Sequence, residues 1–220
     1  MKKKIKKFHI AVDGISASGK TTASKIISKK FKLKLLSSGK LYRYIAYKII
    51  KNNNSFDKSF VRKISRSISE KDLNSKKLYS QNITNLSSII AKKKYIRNYL
   101  KKYQMDFIKK NKFVIIEGRD IASKILPNAD LKLFFKCSIQ KKALRRFKEF
   151  KKNNSTTKIN EVEKALKLRD FSDKNRKESP LLFIKGAVLV DTTNLTLKQM
   201  EDKIIKLVRM KIKQKIDANI

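Results

Sequence analysis

A short loop of small residues near the amino terminus has the composition of a phosphate-binding site. Residues 10–22 read IAVDGISASGKTT, and residues 14–21 match the pattern G-x-x-x-x-G-K-[ST] without a gap. A loop with little side-chain bulk lets successive backbone N–H groups face phosphate oxygens, and a following helix adds the positive end of its dipole. Lys20 would reach the terminal phosphates of a nucleotide, and the Thr21 hydroxyl would ligate the accompanying Mg²⁺. The loop therefore predicts a site for a nucleoside triphosphate.

The segments around the loop have the patterns that such a loop requires. Residues 8–12 form a short apolar run typical of a buried strand, and helical spacing of apolar residues begins at Ala23. Comparable runs recur at residues 33–36, 113–116, 131–135 and 187–190. Because helical patterns alternate with these runs, we predict an α/β fold with a parallel five-stranded sheet covered by helices on both faces.

The length and composition predict one domain over residues 1–220. With only 5 Gly and 2 Pro in 220 residues, little of the chain is suited to a flexible linker. No run approaches the roughly 18 apolar residues of a membrane span, and the basic start MKKKIKKF leads directly into a predicted strand. We expect a cytoplasmic protein with no membrane partner.

The net charge of +39, from 57 basic and 18 acidic residues, is of the kind found in nucleic-acid-binding proteins. The lysines, however, are spread over every segment rather than gathered in one patch, which favours a bias of the whole composition. The chain has 47 Lys and 10 Arg. Because Lys cannot replace the planar fork of Arg where phosphate is bound by two hydrogen bonds, the scarce arginines mark candidate sites.

Two segments interrupt the alternation of strands and helices, and such interruptions often carry function. Residues 48–110 begin with a polar stretch and close with a helical pattern. Residues 139–177 consist of two basic helical patterns joined by the turn NNSTTK, and this pair could fold over a bound triphosphate as a lid. Within it, the spacing of Leu166, Arg169, Asp173 and Arg176 predicts one stripe of a helix. In isolation this stripe would be a solvated face with weak ion pairs.

Three further motifs accompany the loop: LLSSGKLYR at residues 35–43, VIIEGRD at residues 114–120 and LRDFSDKNR at residues 168–176. Together with the loop they resemble the bacterial-type cytidylate kinases, nucleoside monophosphate kinases of the P-loop class, over essentially the whole chain. The resemblance implies a five-stranded parallel sheet with a monophosphate-binding insertion (residues 48–110) and a short helical lid (residues 139–177). It also implies transfer of the γ-phosphoryl group of ATP to CMP, and to dCMP, with Mg²⁺ as cofactor.

The resemblance also implies which residues bind the substrates. The ATP contacts fall on the loop itself: Gly14, Ile15, Ser16, Ala17, Ser18, Gly19, Lys20, Thr21 and Thr22. The contacts of the CMP phosphate fall on Ser38, Arg43, Arg119 and Arg176. The cytosine-reading groups fall on Ser88, Arg97 and Asp120, and the groups near the ribose on Arg169 and Asp173. The catalytic cations fall on Lys20, Arg119 and the lid arginines Arg145 and Arg146, with Thr21 as the metal ligand.

The chain departs from the family pattern at several positions. Ile15 and Ser37 stand where the family has Pro and Asp, and Tyr79 stands where it has Arg. Glu117 keeps the charge of the family's Asp but moves it by one methylene. The insertion is also shorter and more polar than is usual in the family.

Other functions are compatible with the loop taken alone. One is a P-loop kinase of another small acceptor, such as UMP, dCMP alone or shikimate. A second, of a different class, is a P-loop ATPase that acts on RNA or DNA, which the charge of +39 suggests. We expect ATP and CMP or dCMP as the partners, no specific nucleic acid, and a monomer.

Overall fold

The centre of the fold is a parallel sheet of five strands, in the order β2-β3-β1-β4-β5. The computed structural model describes residues 5–53, 56–151 and 157–218. The strands are β1 (Phe8–Gly14), β2 (Lys34–Ser37), β3 (Phe113–Glu117), β4 (Leu131–Lys136) and β5 (Val188–Asp191). The α/β prediction is therefore confirmed, and the ends of the strands differ from the predicted ones by at most two residues.

Strand β1 lies in the middle of the sheet and is almost completely buried. Ile10 pairs with Ile115 of β3 and with Leu131 of β4. Because the neighbouring strands run parallel, the loops that follow β1, β3 and β4 leave the sheet at the same edge, which is where α/β proteins bind their ligands. This topology places the loop at residue 14 beside the turn at Gly118, whose N–H donates to Val12 O over 2.8 Å.

The contacts within the chain divide the protein into two compact units. The first unit consists of Met1–Leu35 and Lys112–Ile220, and the second unit is Leu36–Asn111. The first unit carries the helices α1 (Lys20–Phe31), α7 (Ile139–Lys151), α8 (Ile159–Asn175) and α9 (Leu197–Asp217). Its main core is formed by the strands with α1 and α9, through side chains such as Ile27, Phe135 and Ile204. Helix α9 begins with a capping box between Thr196 and Gln199.

The second unit is helical. Its helices are α2 (Ser38–Lys51), α3 (Lys58–Arg66), α4 (Glu70–Leu73), α5 (Gln81–Ile90) and α6 (Lys94–Lys110), with a 3₁₀ turn at Lys76–Tyr79. Helix α2 packs on α5, and α3 packs on α6. Between residues 56 and 110, where the structure describes every residue, the chain contains no strand. The functional boundaries at residues 48–110 and 139–177 remain predictions.

The predicted stripe on the second lid helix is wrong at its last member. Helix α8 ends at Asn175, and Arg176 has an extended backbone with φ −66° and ψ 139°. The chain turns back at this point because Leu181 N donates to Asp173 O and Arg176 Nε donates to Ser179 O. The stripe is also not a solvated face, because the Arg176 side chain is only 5% exposed. Residues 153–156 of the predicted turn NNSTTK lie outside the described part of the chain.

A π-helical turn, Ile121–Ile125, follows the EGRD motif. Such turns are rare and often occur at functional sites. In the described ranges no helix is both long enough and apolar enough to cross a membrane.

Candidate active site

The phosphate-binding loop has two glycines at positions that disfavour a side chain, Gly14 for lack of space and Gly19 because of its backbone conformation. At Gly14 an added Cβ would lie 2.4 Å from Phe135 O, so the loop can leave β1 beside β4 only without a side chain. Gly19 has φ +87° and forms the N-cap of α1. Glycine adopts this left-handed conformation without steric cost. The two residues therefore set the curvature of the loop.

Contacts within the loop hold its backbone open. Ser18 Oγ donates to Ile15 O over 2.9 Å, and Lys20 Nζ donates to the same oxygen over 3.1 Å. Ile15 N in turn donates to Phe135 O. Ala17 has a left-handed backbone with φ 54°, which is uncommon for a residue with a side chain.

Lys20 is buried, and the electrostatics around it match an anion site. Burial, together with the charges of Arg119 and Arg169, lowers the pKa of its ammonium group to about 7, while Glu117 and Asp173 oppose the shift. A buried ammonium group is stabilised by a nearby anion. The site is therefore suited to a group that brings negative charge, such as a polyphosphate.

Thr21 and Glu117 form an oxygen-rich pair at the start of α1. The Thr21 hydroxyl lies 2.9 Å and 3.0 Å from the two carboxylate oxygens of Glu117, which is buried at the end of β3. Hydroxyl and carboxylate oxygens are the ligands that Mg²⁺ prefers, and Mg²⁺ commonly takes one or two protein oxygens together with substrate phosphates. These two residues therefore fit the cofactor that the family resemblance implies.

Arg119 connects the loop to helix α8. Its Nη2 donates to Ser16 Oγ over 3.0 Å, and its Nε donates to Asp173 Oδ2 over 2.8 Å. Asp173 Oδ1 accepts from Arg176 Nη1 over 3.3 Å. Burial opposes ionisation of Asp173, but the charges of Arg119, Arg176 and Arg169 outweigh it and hold the pKa of Asp173 below its usual value.

Asp13 fixes the turn that carries Arg119 and Asp120. Its two carboxylate oxygens accept from Ile121 N over 2.8 Å and from Ala122 N over 2.7 Å. Burial raises the pKa of Asp13 to about 6, although both hydrogen bonds act in the opposite direction. Asp120, at the start of this turn, lies 4.0 Å from Arg176 Nη2 through its Oδ1.

The two predicted lid arginines differ in their surroundings. Arg145 donates to Thr192 through Nη2 over 2.7 Å and Nη1 over 3.0 Å, and Thr192 Oγ1 donates to Ser18 O of the loop. Arg146 pairs with Glu149 on the same helix. A pocket of about 370 Å³ opens next to Arg145. It is lined by Lys141, Leu144, Arg145, Lys148, Thr193, Asn194, Leu195 and Thr196.

In the second unit, the predicted site residues are anchored on the helices α2, α5 and α6. Arg43 Nη1 donates to Thr84 Oγ1 over 2.8 Å and to Leu78 O over 3.0 Å. Ser88 Oγ donates to Thr84 O over 3.3 Å, so Arg43 and Ser88 share one neighbour. Arg97 Nη1 donates to Ala91 O over 3.0 Å. Ser38, the first residue of α2, is buried.

A sequence profile of the cytidylate kinases matches residues 10–210 of the chain. The chain belongs to the cytidylate kinase family. Among the curated relatives, the cytidylate kinase of Thermosipho melanesiensis is 35% identical over 213 residues, covering 93% of this chain and 98% of the relative. The cytidylate kinase of Pediococcus pentosaceus is 32% identical over 226 residues, covering 95% of this chain and 99% of the relative.

Solved structures share the fold at lower sequence identity. A crystal structure from Thermus thermophilus is 12% identical and has a TM-score of 0.51, covering 94% of this chain and 98% of that one. An uncharacterized protein from Eubacterium ventriosum is 14% identical, with a TM-score of 0.50, and covers 92% and 98% of the two chains. These likenesses concern the fold alone.

Within the cytidylate kinase fold of this chain, the structure collects the predicted residues in groups. One group lies at the carboxyl edge of the sheet and consists of Ser16, Lys20, Arg119, Asp120, Asp173 and Arg176. Arg43 and Ser88 meet at Thr84 in the second unit. The substrate contacts that the family implies for these residues remain predictions.

Several residues of the site were missed by the sequence reasoning. They are Asp13, Thr84, Lys142, Asp170 and Thr192. Asp13 had a signal, because it precedes the first glycine of the loop, and Asp170 lies within the RDFSDKNR motif. Lys142 had none, because it is one of 47 lysines and only the fold buries it.

Proposed function

We propose that this member of the cytidylate kinase family transfers the γ-phosphoryl group of ATP to CMP, and also to dCMP, giving ADP and CDP or dCDP. The observation that carries this proposal is the cluster formed by the P-loop, Arg119, Asp173 of α8 and Arg176, which directly follows α8. The cluster places a buried Lys20 and two guanidinium groups at one edge of the sheet, in a chain of this family. Phosphoryl transfer requires such positive charge around the transferring group.

The chemistry needs no dedicated general base. A phosphate monoester dianion is already a nucleophile, so the enzyme must position it and neutralise charge. Lys20 would hold the β and γ phosphates, and Arg119 would stabilise charge on the transferring group. Thr21, with Glu117 behind it, would hold Mg²⁺, which neutralises phosphate charge when it is bound.

The proposed CMP contacts are those that the family resemblance implies. In the first unit, Arg119 and Arg176 would bind the monophosphate, Arg169 and Asp173 would contact the ribose, and Asp120 would accept from the cytosine amino group. In the second unit, the proposed contacts are Ser38 and Arg43 for the phosphate and Ser88 and Arg97 for the base.

The pocket beside Arg145 is our candidate for the base and ribose of ATP. Its volume of about 370 Å³ is in the range of small-molecule sites. The hydrogen bond from Thr192 Oγ1 to Ser18 O joins its rim to the P-loop. The loop that follows β5 and the first lid helix would then hold the donor, and Arg145 and Arg146 remain the proposed lid cations.

A substrate panel tests the proposal. ADP formation would be coupled to an optical assay with ATP and Mg²⁺, using CMP, dCMP, UMP and shikimate as acceptors at equal concentration. We expect CMP and dCMP to exceed UMP in kcat/KM and shikimate to give none above background. Equal activity with UMP, or activity with shikimate alone, would assign the site to another acceptor.

The charge of +39 motivates a second test. We predict that any binding to RNA or DNA is weak, lacks sequence preference and falls steeply between 50 and about 200 mM salt, as dispersed lysines require. Titration of labelled oligonucleotides by fluorescence anisotropy measures it. Binding that persists at high salt, with ATP hydrolysis stimulated by nucleic acid and no transfer to CMP, would favour the ATPase alternative. We also propose a cytoplasmic monomer, which gel filtration and cell fractionation would test.

A further inference from the structure

Asp170 of helix α8 contacts the backbone of the P-loop. Ser16 N donates to Asp170 Oδ1 over 2.9 Å. The other carboxylate oxygen is bound by the ammonium group of Lys142 on helix α7, which is 3% exposed. The two helices of the predicted lid thus supply a charged acceptor for one N–H of the loop and a cation that holds this acceptor in place.

A second set of contacts reaches the same part of the loop. Arg119 donates to Ser16 Oγ and to Asp173, which lies three residues after Asp170 on the same helix. Ala17 packs against a small apolar core formed by Ala143 of α7 and by Val162 and Leu166 of α8. The conformation of residues 16–17 therefore depends on the position of the two helices.

We propose that Asp170 is a positioning residue, which sets the P-loop backbone for the triphosphate by accepting from Ser16 N, with Lys142 as the group that orients it. This inference rests on the proposed function and assigns a role in ATP binding to two residues that were not among the predicted contacts. A carboxylate is a stronger acceptor for an N–H group than a neutral oxygen. Loss of that acceptor leaves the Ser16 amide free to turn, and the loop loses the shape that its phosphate donors need.

The competing explanation is that Asp170 and Lys142 form a buried ion pair with a purely structural role. Replacement of both partners of such a pair by neutral residues of similar size is often neutral for stability. The two explanations differ in whether ATP binding requires an acceptor for the Ser16 N–H. Asparagine at position 170 retains an oxygen that can accept from it, and leucine does not.

Two double variants therefore separate the roles: Asp170→Asn with Lys142→Met, and Asp170→Leu with Lys142→Met. Both remove the ion pair, and urea denaturation shows that each variant is folded under the assay conditions. The leucine variant should show a KM for ATP and a Kd for ADP about tenfold above those of the asparagine variant, the cost of one buried donor without an acceptor. The KM for CMP should differ by less than about twofold, since Asp170 acts on the donor site. The ratio of ATP hydrolysis to transfer should rise only in the leucine variant.

A matched control is the surface pair Glu163–Lys167 on α8, whose Lys167 side chain is 61% exposed. Glu163→Gln with Lys167→Met should leave all these constants within about twofold of the wild type. Equal ATP constants in the leucine and asparagine variants would overturn the proposal. Because ADP binding by calorimetry needs no acceptor, a wild type that fails to phosphorylate CMP would refute the proposed function and leave this comparison intact.

An exchange measurement covers the case in which a double variant does not fold. The amide of Ser16 should be protected from hydrogen exchange in the wild type. In Asp170→Glu, which keeps the charge but moves the acceptor by one methylene, it should exchange about tenfold faster. Equal exchange rates would overturn the proposal.

Discussion

Among the contacts described above, the arginines of the two units have different partners. In the first unit, Arg119 and Arg176 both donate to the carboxylate of Asp173. In the second unit, Arg43 donates to a backbone carbonyl and a hydroxyl, and Arg97 donates to a backbone carbonyl. Each of these two guanidinium groups also lies over a tyrosine ring, 5.2 Å from the centroid of Tyr79 and 5.6 Å from that of Tyr42 respectively.

This difference suggests two ways to prepare a guanidinium group for an anion. A carboxylate fixes the direction of Arg119 strongly, but an arriving phosphate must compete with it for the same N–H groups. Carbonyl oxygens and aromatic faces orient a guanidinium group without cancelling its charge. In the second unit, Tyr79 supplies such an aromatic face for Arg43.

The largest effect is expected at Lys20, the buried cation of the P-loop. Lys20→Ala removes the charge that faces the proposed β and γ phosphates, so we expect kcat/KM for transfer to fall on the order of 10³-fold. The fold should remain, because the Lys20 ammonium group is hydrogen-bonded to Ile15 O and fills no core position. Steady-state kinetics and circular dichroism measure both effects. Lys25→Ala, at an exposed position of the same helix, is the control. Near-normal turnover in Lys20→Ala would remove the P-loop assignment.

The second prediction compares the two kinds of arginine support by stability. Asp173→Asn removes the carboxylate that the Arg119 and Arg176 guanidinium groups share, which should lower the free energy of unfolding by about 3 kcal/mol. Arg43→Met leaves a carbonyl and a hydroxyl without this donor and should cost about 1 to 2 kcal/mol. Urea denaturation measures both values. The surface variant Asp202→Asn, from an exposed pair with Lys198, should change stability by less than about 0.5 kcal/mol.

If Arg43→Met destabilises the protein as much as Asp173→Asn does, then the carboxylate adds nothing to the support of the first unit, and the two groups of arginines are equivalent.

The third prediction concerns the choice of base. Cytosine presents an amino donor where uracil presents an acceptor, so Asp120 can accept from CMP and Arg97 can donate to the acceptors of the base. A site that pairs a substrate's polar groups rejects an analogue that leaves its own groups unsatisfied. Asp120→Ala and Arg97→Met should each reduce the ratio of kcat/KM between CMP and UMP by about tenfold or more.

The controls for base choice come from the same elements. Asp106→Ala, at an exposed position of the helix that carries Arg97, should leave the ratio unchanged. If Asp120→Ala and Arg97→Met reduce CMP and UMP activity in equal proportion, these residues serve folding or phosphate positioning, and the cytosine assignment is wrong.

Much of the fold followed from local patterns in the sequence. The apolar runs predicted five strands, and the P-loop pattern predicted a phosphate-binding loop between the first strand and the first helix. These features are local, because a strand buried on both faces and a loop of small residues each have a composition of their own. The family motifs then located the arginines, and membership of the family is confirmed by the sequence comparisons.

The contacts between distant segments could not be predicted in this way. The spacing of Arg176 predicted a helical position, but the helix ends at Asn175. It ends there because Leu181 N donates to Asp173 O and the Arg176 side chain donates to Ser179 O. The contact between Asp170 and Ser16 joins residues that are 154 positions apart. A single sequence carries no signal for such a contact, because the two motifs mark Ser16 and Asp170 separately and say nothing of their pairing.

The fourth prediction concerns the dependence of the first unit on pH. The pKa of Lys20 is lowered to about 7 by burial first and then by Arg119, with Glu117 opposing. Between about pH 7 and 10.4 the unfolded chain holds this proton more firmly than the native protein, so Lys20 contributes stability that rises with pH in this window.

Nucleotide binding should show the opposite trend. A bound polyphosphate favours the ammonium form of Lys20, so the free protein must take up a proton to bind ADP above pH 7. At pH 8 the uptake from this group should approach about 0.9 proton per ADP, and the affinity should fall by up to about tenfold per pH unit. Calorimetry in two buffers of different ionisation enthalpy measures the uptake, with Lys20→Met as the control that lacks it. Equal proton uptake by the wild type and Lys20→Met would show that Lys20 is already charged before ADP binds.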